Sequence, residues 1–516
     1  MAHYIFRLLS ICLTIAVITL FPGVASAGQI YIHNSAKGAI TCDAAAGDSR
    51  NTVKQNTQTI AIAQGETLEL NPQDFSTQTI DRVECAGYNV GNLKVTPNSP
   101  DRYLSFTGQA QHTLSVLLYP YLPTTPEANF QPMVQRIVNE FQHKNPQILL
   151  NAVISQDLEY DTYIYSNLPN LLGENGFDLV ELDTLMLGYA VDSNLILPAS
   201  PAISTSKFWE VGLEASTYNN QLYGFPTWLC SYFLFGRDRD ISQLKSVPEL
   251  LNYLSHKPPL KPRLIANFNS DWNAIGFYLD GYTDLFGFDR VTEALEKPID
   301  PQVIKNLVEM SSECAVNETN GCVNNYYNED PNAGYQDFSG GADSFIGFSE
   351  NSFYIRLSDT KQLPLFATPA PYGNQLEPLV FTDTLAVNSS TCKNEQCQAN
   401  AVKFIDYMSS VETKLWIAFS EDLDSGTPPR RSLPAIKAFY EQPRVQQDEL
   451  YPQFAPVVKN QKANFPNSIS DNKKIAMYQE ICAEFSQQEP EYPRCDLYRR
   501  SLPGSKRFRS KRFKGF

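Results

Sequence analysis

The sequence predicts an α/β protein preceded by a small β-rich module. From about His112 onward, apolar runs typical of strands alternate with segments whose apolar residues recur at helical spacing. This alternation predicts a parallel or mixed sheet covered by helices. Before that point, residues 28–111 contain short β-branched runs separated by Asn, Gly, Pro and Asp. The 516 residues are enough for two or three domains with well-buried cores.

The module at 28–111 is predicted to be stapled by a disulfide between Cys42 and Cys85. Its strands are expected at 29–33, 58–63 and 67–70. The residues leave two readings of its role open, a binding or targeting module and an inert structural cap.

The larger region, 112–495, contains a longer series of elements. Strands are predicted at 113–119, 148–154, 177–182, 263–268, 344–349, 363–368 and 378–387. Helices are predicted at 130–141, 160–172, 184–192, 246–255, 272–285, 301–313, 398–419 and 470–486. Ligands of such sheets bind beyond the carboxyl ends of strands. Four polar residues are expected at or just past strand ends: Tyr119, Asp183, Glu350 and Asp383.

Both ends of the chain carry recognisable segments. Residues 1–27 combine Arg7, an apolar run and Ala25-Ser26-Ala27, which predicts a secretory signal peptide. We therefore expect a periplasmic or secreted protein. Residues 496–516 form a basic C-terminal tail, in which 499–516 hold eight Lys or Arg and no acid. Such a tail is either solvated or in contact with an anionic surface.

Charge and motifs exclude several function classes. The formal charge of −15 argues against nucleic-acid binding and suits a cationic small molecule. After the signal, no stretch is apolar for the roughly 18 residues of a membrane span. No Walker A loop, GxGxxG or HExxH occurs, and Pro428 disturbs a faint calcium-loop pattern at Asp422–Gly426. We expect no cofactor and no metal.

Cysteine counting singles out Cys230. Cys12 lies in the signal, and eight of the other nine cysteines fall into neighbouring pairs. The pairs are Cys42 with Cys85, Cys314 with Cys322, Cys392 with Cys397, and Cys482 with Cys495. An odd cysteine in an exported protein is an intermolecular linker or a free reactive thiol, and the alternative is a small buried hydrophobe. Since His143 and His256 both look like surface residues, the base for a reactive thiol would be a carboxylate.

Three segments resemble the thiaminase I (thiamine pyridinylase) family. Tyr223-Gly224-Phe225-Pro226, followed by Leu229-Cys230, is similar to the family's Tyr-Gly-Leu-Pro and Leu-Cys strand. Phe345–Glu350 is similar to its Phe-Ile-Gly-Tyr-Ser-Glu segment, and Phe381–Asn388 to its Tyr-Ser-Asp segment. The resemblance covers about 112–465 and implies the two-lobed fold of type II periplasmic binding proteins.

By this resemblance Cys230 is the nucleophile and Glu350 the base. The resemblance places Asp183 and Asp383 in the active site. It also matches Tyr119 and Tyr121 to a Tyr-Pro-Tyr segment of the family. Tyr163 is a looser candidate for substrate binding, because the local spacing differs. Two family tyrosines are replaced by Phe348 and Phe381, which bears on substrate choice. Tyr335 and Tyr327 are possible matches to a further family tyrosine.

The implied reaction replaces the thiazole of thiamine with another nucleophile through a covalent cysteine–pyrimidine intermediate. The partners would be thiamine and an amine, pyridine or thiol co-substrate, and we expect a monomer. Aromatic faces and carboxylates suit the fixed charge of a thiazolium. The alternative hypothesis is a periplasmic solute-binding protein for thiamine or a related small molecule, because fold alone does not determine function.

Overall fold

The computed structural model describes most of the chain. The described residues are 28–45, 57–75, 78–90, 93, 95–97, 99, 101–125, 128, 130–154, 164–460 and 464–488. The predicted signal at 1–27, Tyr163 and the tail at 496–516 lie outside them. The described residues divide into two compact units, one within 28–113 and 145–154 and one within 114–144 and 164–488. The domain boundaries drawn from the sequence stay a prediction.

The strands and helices are numbered along the chain. The strands are β1 (Ile30–Asn34), β2 (Ile40–Ala45), β3 (Thr57–Ile62), β4 (Thr67–Leu70), β5 (Arg82–Cys85), β6 (Tyr88–Val90), β7 (Arg102–Phe106), β8 (His112–Leu118), β9 (Ile148–Ile154), β10 (Leu179–Asp183), β11 (Thr217–Tyr218), β12 (Gln221–Leu222), β13 (Gly224–Cys230), β14 (Tyr232–Gly236), β15 (Leu264–Ile265), β16 (Ala315–Val316), β17 (Thr319–Asn320), β18 (Ser344–Phe348), β19 (Phe366–Pro369), β20 (Phe381–Val387) and β21 (Leu433–Pro434). The helices are α1 (Gln131–Lys144), α2 (Ile164–Leu171), α3 (Leu187–Asp192), α4 (Glu210–Ala215), α5 (Val247–Ser255), α6 (Asp271–Phe286), α7 (Val291–Glu296), α8 (Pro301–Ser312), α9 (Tyr326–Glu329), α10 (Pro331–Ser339), α11 (Asn351–Ser358), α12 (Glu395–Met408), α13 (Val411–Ala418), α14 (Pro443–Gln446), α15 (Tyr451–Asn460) and α16 (Asp471–Gln488).

The first unit contains two small sheets. One has the order β4-β1-β7 and the other β3-β2-β5-β6. Alternate residues of β1 are buried, and Ile30 and Ile32 join Val83 and Phe106 in one core. Cys42 and Cys85 stand directly opposite each other on β2 and β5 and form a disulfide. Two small sheets and the predicted Cys42–Cys85 disulfide are therefore present in this unit.

The second unit is built on two mixed sheets. In the first, neighbouring strands follow the order β21-β13-β20-β10-β8. Strand β10 is parallel to β8 and antiparallel to β20. The second sheet has the order β15-β18-β14-β19, with β14 antiparallel to both neighbours. The mixed sheets confirm the predicted fold class.

The chain crosses between the two sheets at Ser231. Strand β13 ends at Cys230 in the first sheet, and β14 begins at Tyr232 in the second. The chain returns between β19 and β20. Ser231 Oγ donates a hydrogen bond of 2.9 Å to Leu379 O of that return segment. The two crossings therefore run beside each other, and each sheet forms one lobe.

Two element predictions were wrong for local reasons. The predicted helix 398–419 is divided into two helices, α12 and α13. Ser410 caps the N-terminus of α13, because its Oγ accepts a hydrogen bond from Thr413 N. The predicted strand 263–268 shortens to Leu264–Ile265. Asn267 Oδ1 accepts hydrogen bonds from Asn269 N and Ser270 N, which turns the chain toward α6.

The predicted disulfides agree with the structure wherever it describes both cysteines. Cys314–Cys322 and Cys392–Cys397 are bonded, in addition to the pair in the first unit. Cys482 is also disulfide-bonded, while its predicted partner Cys495 lies outside the described residues.

Candidate active site

Cys230 is unpaired among the cysteines that the structure describes, and it is partly accessible. Its Sγ lies 3.7 Å from Glu350 Oε1, within reach of a weak S–H···O hydrogen bond. Glu350 is also partly accessible. The two residues that the sequence singled out as nucleophile and base are thus neighbours that a ligand can reach.

A β-bulge determines which way Cys230 faces. Pro226 pairs with Thr384 and Trp228 pairs with Asp383, so Thr227 is an extra residue on β13. Directly paired residues point to the same side of a sheet. Cys230, which pairs with Phe381, therefore shares a face with Asp383. Without the extra residue, Cys230 would point to the opposite face.

Glu350 follows β18 and immediately precedes α11. Ser349 Oγ donates a hydrogen bond of 2.9 Å to Glu350 Oε2. Burial raises the pKa of Glu350 to about 7, against the opposing effects of its own backbone N–H, the Ser349 hydroxyl and the Cys230 thiol. A carboxylate with this pKa can both accept and return a proton near neutral pH.

The surroundings of Cys230 favour the protonated form of its thiol. Burial raises its pKa well above the ordinary value, and the charges of Glu350, Asp383 and Asp183 raise it further. All three carboxylates disfavour a thiolate in the absence of a positive charge. A cationic ligand would reverse that effect.

Asp183 and Asp383 form a cross-strand pair. Asp183 is the last residue of β10 and pairs with Asp383 of the antiparallel β20. Both side chains are buried. Burial raises the pKa of Asp183 to about 7, and burial with the Asp183 charge raises that of Asp383 well above its usual range. Because the two residues are direct cross-strand neighbours, ionisation of Asp183 disfavours ionisation of Asp383.

The expected position of Asp383 at a strand end needs a correction. Asp383 is the third residue of β20, near the strand's beginning. It reaches Asp183 because antiparallel pairing places the start of β20 beside the end of β10. In a strand parallel to β10, only a residue at the carboxyl end of that strand would lie beside Asp183.

Tyr119 and Tyr121 follow β8, which runs parallel to β10. Their rings stack with centroids 4.4 Å apart, and Tyr119 N donates a hydrogen bond of 2.9 Å to Glu181 Oε2. The carboxyl ends of β8 and β10 meet at one edge of the sheet. Both tyrosines therefore lie at the edge that carries Asp183. The role of Tyr163 stays a prediction, because it lies outside the described residues.

An aromatic cluster stands where the sequence lacks two family tyrosines. Phe348 stacks on Tyr232 with ring centroids 4.4 Å apart, and Phe381 stacks on Phe465 at 4.5 Å. Trp272 contacts both Phe381 and Phe465. The two phenylalanines keep the ring packing and omit the hydroxyls. The hydroxyl of Tyr335 accepts a hydrogen bond from Asn351 Nδ2, and the hydroxyl of Tyr327 donates one to Asp337 Oδ2.

Sequence reasoning missed four residues around the site. Glu181 lies two positions before Asp183 on the same strand face, and the period of two could have indicated it. Trp228 pairs with Asp383, and Lys414 of α13 lies over its ring. The buried Tyr440 hydroxyl has no hydrogen-bond partner among the described residues, and Glu350 and Cys230 both raise its pKa. No local motif marks the last three.

The part of the chain that the structure describes has three further features that bear on function. His143 and His256 are exposed, as predicted. Among the described residues, no group of three His, Cys, Asp or Glu is placed to hold a metal ion. No helix there is long and apolar enough to cross a membrane.

The fold and this site define a class of protein, a two-lobed type II periplasmic-binding-protein fold with a thiol and a carboxylate facing each other. Its solved structural neighbours include thiaminase I from Bacillus thiaminolyticus, at 21% identity and a TM-score of 0.56 over 72% of this chain and 99% of that one. Clostridium botulinum thiaminase I in complex with thiamin matches at 19% identity and a TM-score of 0.58, over 72% and 100%. The sugar-binding protein MalE from Xanthomonas citri matches at 14% and 0.54, over 75% and 98%.

A curated relative adds sequence similarity to the shared fold. The chain is 29% identical over 364 residues to Thiaminase-1 from Paenibacillus thiaminolyticus, covering 67% of this chain and 81% of the relative. No protein-family model matches the chain. The resemblance to thiaminase I that the three motifs predicted is confirmed.

Proposed function

We propose that this protein is a thiamine-degrading transferase that replaces the thiazole of thiamine with another nucleophile. The observation that carries the proposal is the 3.7 Å approach of Cys230 Sγ to Glu350 Oε1, on residues that match two motifs of the thiaminase I family. The similarity to Thiaminase-1 supports the same reaction class. A solute-binding protein has no need of a free thiol beside a carboxylate of raised pKa.

In the first half-reaction, Glu350 accepts the Cys230 proton as the sulfur bonds to a pyrimidine ring carbon next to a ring nitrogen. The bond between the methylene carbon and the thiazolium nitrogen then breaks. Its electron pair returns to that nitrogen, so the thiazole leaves as a neutral molecule. The pyrimidine fragment remains bound to Cys230. Covalent catalysis of this kind divides one displacement into two easier steps.

In the second half-reaction, an amine, pyridine or thiol co-substrate bonds to the methylene carbon. The C–S bond breaks, and the departing Cys230 thiolate takes back the proton that Glu350 accepted in the first half-reaction. Where the nucleophile carried a proton, the regenerated Glu350 carboxylate then accepts it from the product. The pKa of about 7 at Glu350 allows one carboxyl to serve both half-reactions near neutral pH.

The charges of the site explain why thiamine itself would activate the thiol. Three carboxyls raise the pKa of Cys230, so a thiolate is disfavoured in the empty site. A thiazolium brings a fixed positive charge next to the sulfur and favours the thiolate at the moment of attack. Asp183 and Asp383 offer acceptors for the pyrimidine amino group, and Tyr119 and Tyr121 offer ring faces.

An exported protein fits this site. The disulfides of the structure form and persist in oxidising compartments. We propose that the mature protein acts in the periplasm or outside the cell, as a monomer.

The test is thiamine cleavage by the purified mature protein with excess aniline, followed by mass spectrometry. We expect a pyrimidine–aniline product with the unmutated protein and none above background with Cys230→Ser. Cys230→Ala provides a second variant of similar volume, and circular dichroism checks both folds. Tight thiamine binding without any product would replace this proposal with the solute-binding one.

A further inference from the structure

Lys414 is a buried basic side chain next to the candidate site, and the proposed mechanism does not use it. Its side chain has no solvent exposure, and its Nζ has no hydrogen-bond partner among the described residues. This Nζ lies 3.5 Å from the centroid of the Trp228 ring. A buried charge without hydrogen bonds is costly, so its presence calls for a compensating interaction.

The sheet places that interaction among carboxyls. Trp228 pairs directly with Asp383, and Asp383 pairs directly with Asp183. Glu181 points to the same face of β10, two residues before Asp183. We call Glu181, Asp183 and Asp383 the acid cluster, and all three are at least nine-tenths buried. Lys414 approaches the acid cluster from α13. Its side chain lies over the ring of Trp228, which pairs with Asp383.

We propose that Lys414 is a positioning residue that supplies the counter-charge for Asp383, so that Asp383 meets a cationic substrate as an anion. The inference rests on the proposed thiamine chemistry for its purpose. The effect of Lys414 on the protonation of Asp383 does not depend on which substrate the protein binds.

The charges facing Asp383 come from several elements. Glu181 and Asp183 on β10 and Glu350 before α11 all raise the pKa of Asp383, while Lys414 lowers it. In return, Glu181 and Asp383 favour the charged form of Lys414, against the burial that lowers its pKa to about 7. Lys474 of α16 acts on the neighbouring Asp183, and the Cys230 thiol is neutral at rest. Lys414 is the cation that acts on Asp383 in this set.

The direct test titrates Asp383 without any substrate. Protonated carboxylic acids have an infrared C=O band, and the part of that band lost in Asp383→Asn belongs to Asp383. We expect Lys414→Met to move its midpoint upward by about one pH unit or more, because removing a nearby cation disfavours the anion. Lys403→Met makes the same chemical change at an exposed position of α12 and should leave the midpoint in place. Equal midpoints in the Lys414→Met and unmutated proteins would overturn the proposal.

A second variant keeps the test decisive should Lys414→Met fail to fold. Glu181→Gln removes a negative neighbour and retains an oxygen that can accept from Tyr119 N. The midpoint of Asp383 should then move downward, and in the double variant with Lys414→Met it should return toward the unmutated value. A midpoint that Glu181→Gln leaves unchanged or raises would contradict the charge arrangement.

Kinetics then connect the counter-charge to the substrate. At pH 7, Lys414→Met should raise the KM for thiamine about tenfold, the factor that corresponds to one pH unit, and should change kcat much less. Recovery of KM in the double variant would distinguish a charge effect from a packing defect. Because the infrared titration uses no thiamine, it remains valid even where the protein proves to act on another substrate. A normal KM in Lys414→Met at every pH would refute the substrate role.

Discussion

Cys230 Sγ and Glu350 Oε1 lie 3.7 Å apart although the residues are 120 positions apart in the chain. Their meeting follows from the register of the second sheet, in which Tyr232 pairs with Phe348. Continuing that antiparallel register by two residues places Cys230 opposite Glu350. The contact therefore depends on how β13 leaves the first sheet and how β14 joins the second.

Replacing Glu350 with glutamine should lower kcat/KM by about 10²–10⁴-fold, the usual effect of losing a general base. In the unmutated protein kcat should fall about tenfold per pH unit below pH 7, because only ionised Glu350 accepts a proton and its pKa is about 7. This acid limb should vanish in Glu350→Gln. Glu296→Gln, on an exposed part of α7, serves as the control. An acid limb that persists unchanged in Glu350→Gln would assign the base elsewhere.

Ser349 should tune the same pH profile. Its hydroxyl donates 2.9 Å to Glu350 Oε2 and so favours the ionised carboxylate. Ser349→Ala should raise the pKa of Glu350 and move the acid limb upward by about one pH unit, with little loss of rate above it. Ser312→Ala, which removes an exposed hydroxyl from α8, should leave the limb in place. A downward move would show that the hydroxyl does not act through this hydrogen bond.

Asp284 should stabilise the fold by holding the segment between β19 and β20, where the chain returns from the second sheet to the first. It accepts hydrogen bonds from the backbone N–H groups of Tyr372, Gly373 and Glu377. Asp284→Ala leaves these buried donors unpaired, and we expect the free energy of unfolding to fall by about 3 kcal/mol or more. The exposed Asp289→Ala should change it by less than about 0.5 kcal/mol. Urea unfolding measures both, and equal values would show that the crossing is held by other contacts.

The disulfides should differ in what they contribute. The Cys42–Cys85 bond closes a separation of 43 residues and the Cys392–Cys397 bond one of 5. Loop-closure entropy then predicts losses of about 4 and about 2 kcal/mol when each pair is replaced by alanines. Thermal unfolding of the two double variants checks this order. A larger loss from the shorter loop would show that chain entropy does not determine the order.

The sequence predicted the chemistry of the site better than its geometry. Cysteine counting isolated Cys230, and a motif indicated Glu350, because both signals are local in the chain. The bulge at Thr227 that turns Cys230 toward Asp383 depends on pairing with β20, which no local pattern specifies. Lys414 and Tyr440 belong to distant helical segments whose spacing looks like ordinary packing. The break at Ser410 was missed because apolar residues occur on both sides of it.

The proposed reaction requires Cys230 to form a covalent bond with the pyrimidine of thiamine. The most direct measurement mixes the mature protein with thiamine and no co-substrate, quenches in acid within seconds, and records the intact mass and the peptide map. We predict a mass increase equal to the aminopyrimidine-methyl fragment on the peptide that contains Cys230, and its disappearance when aniline is added before the quench. Product formation with aniline, but no adduct on Cys230 at any quench time, would contradict the account.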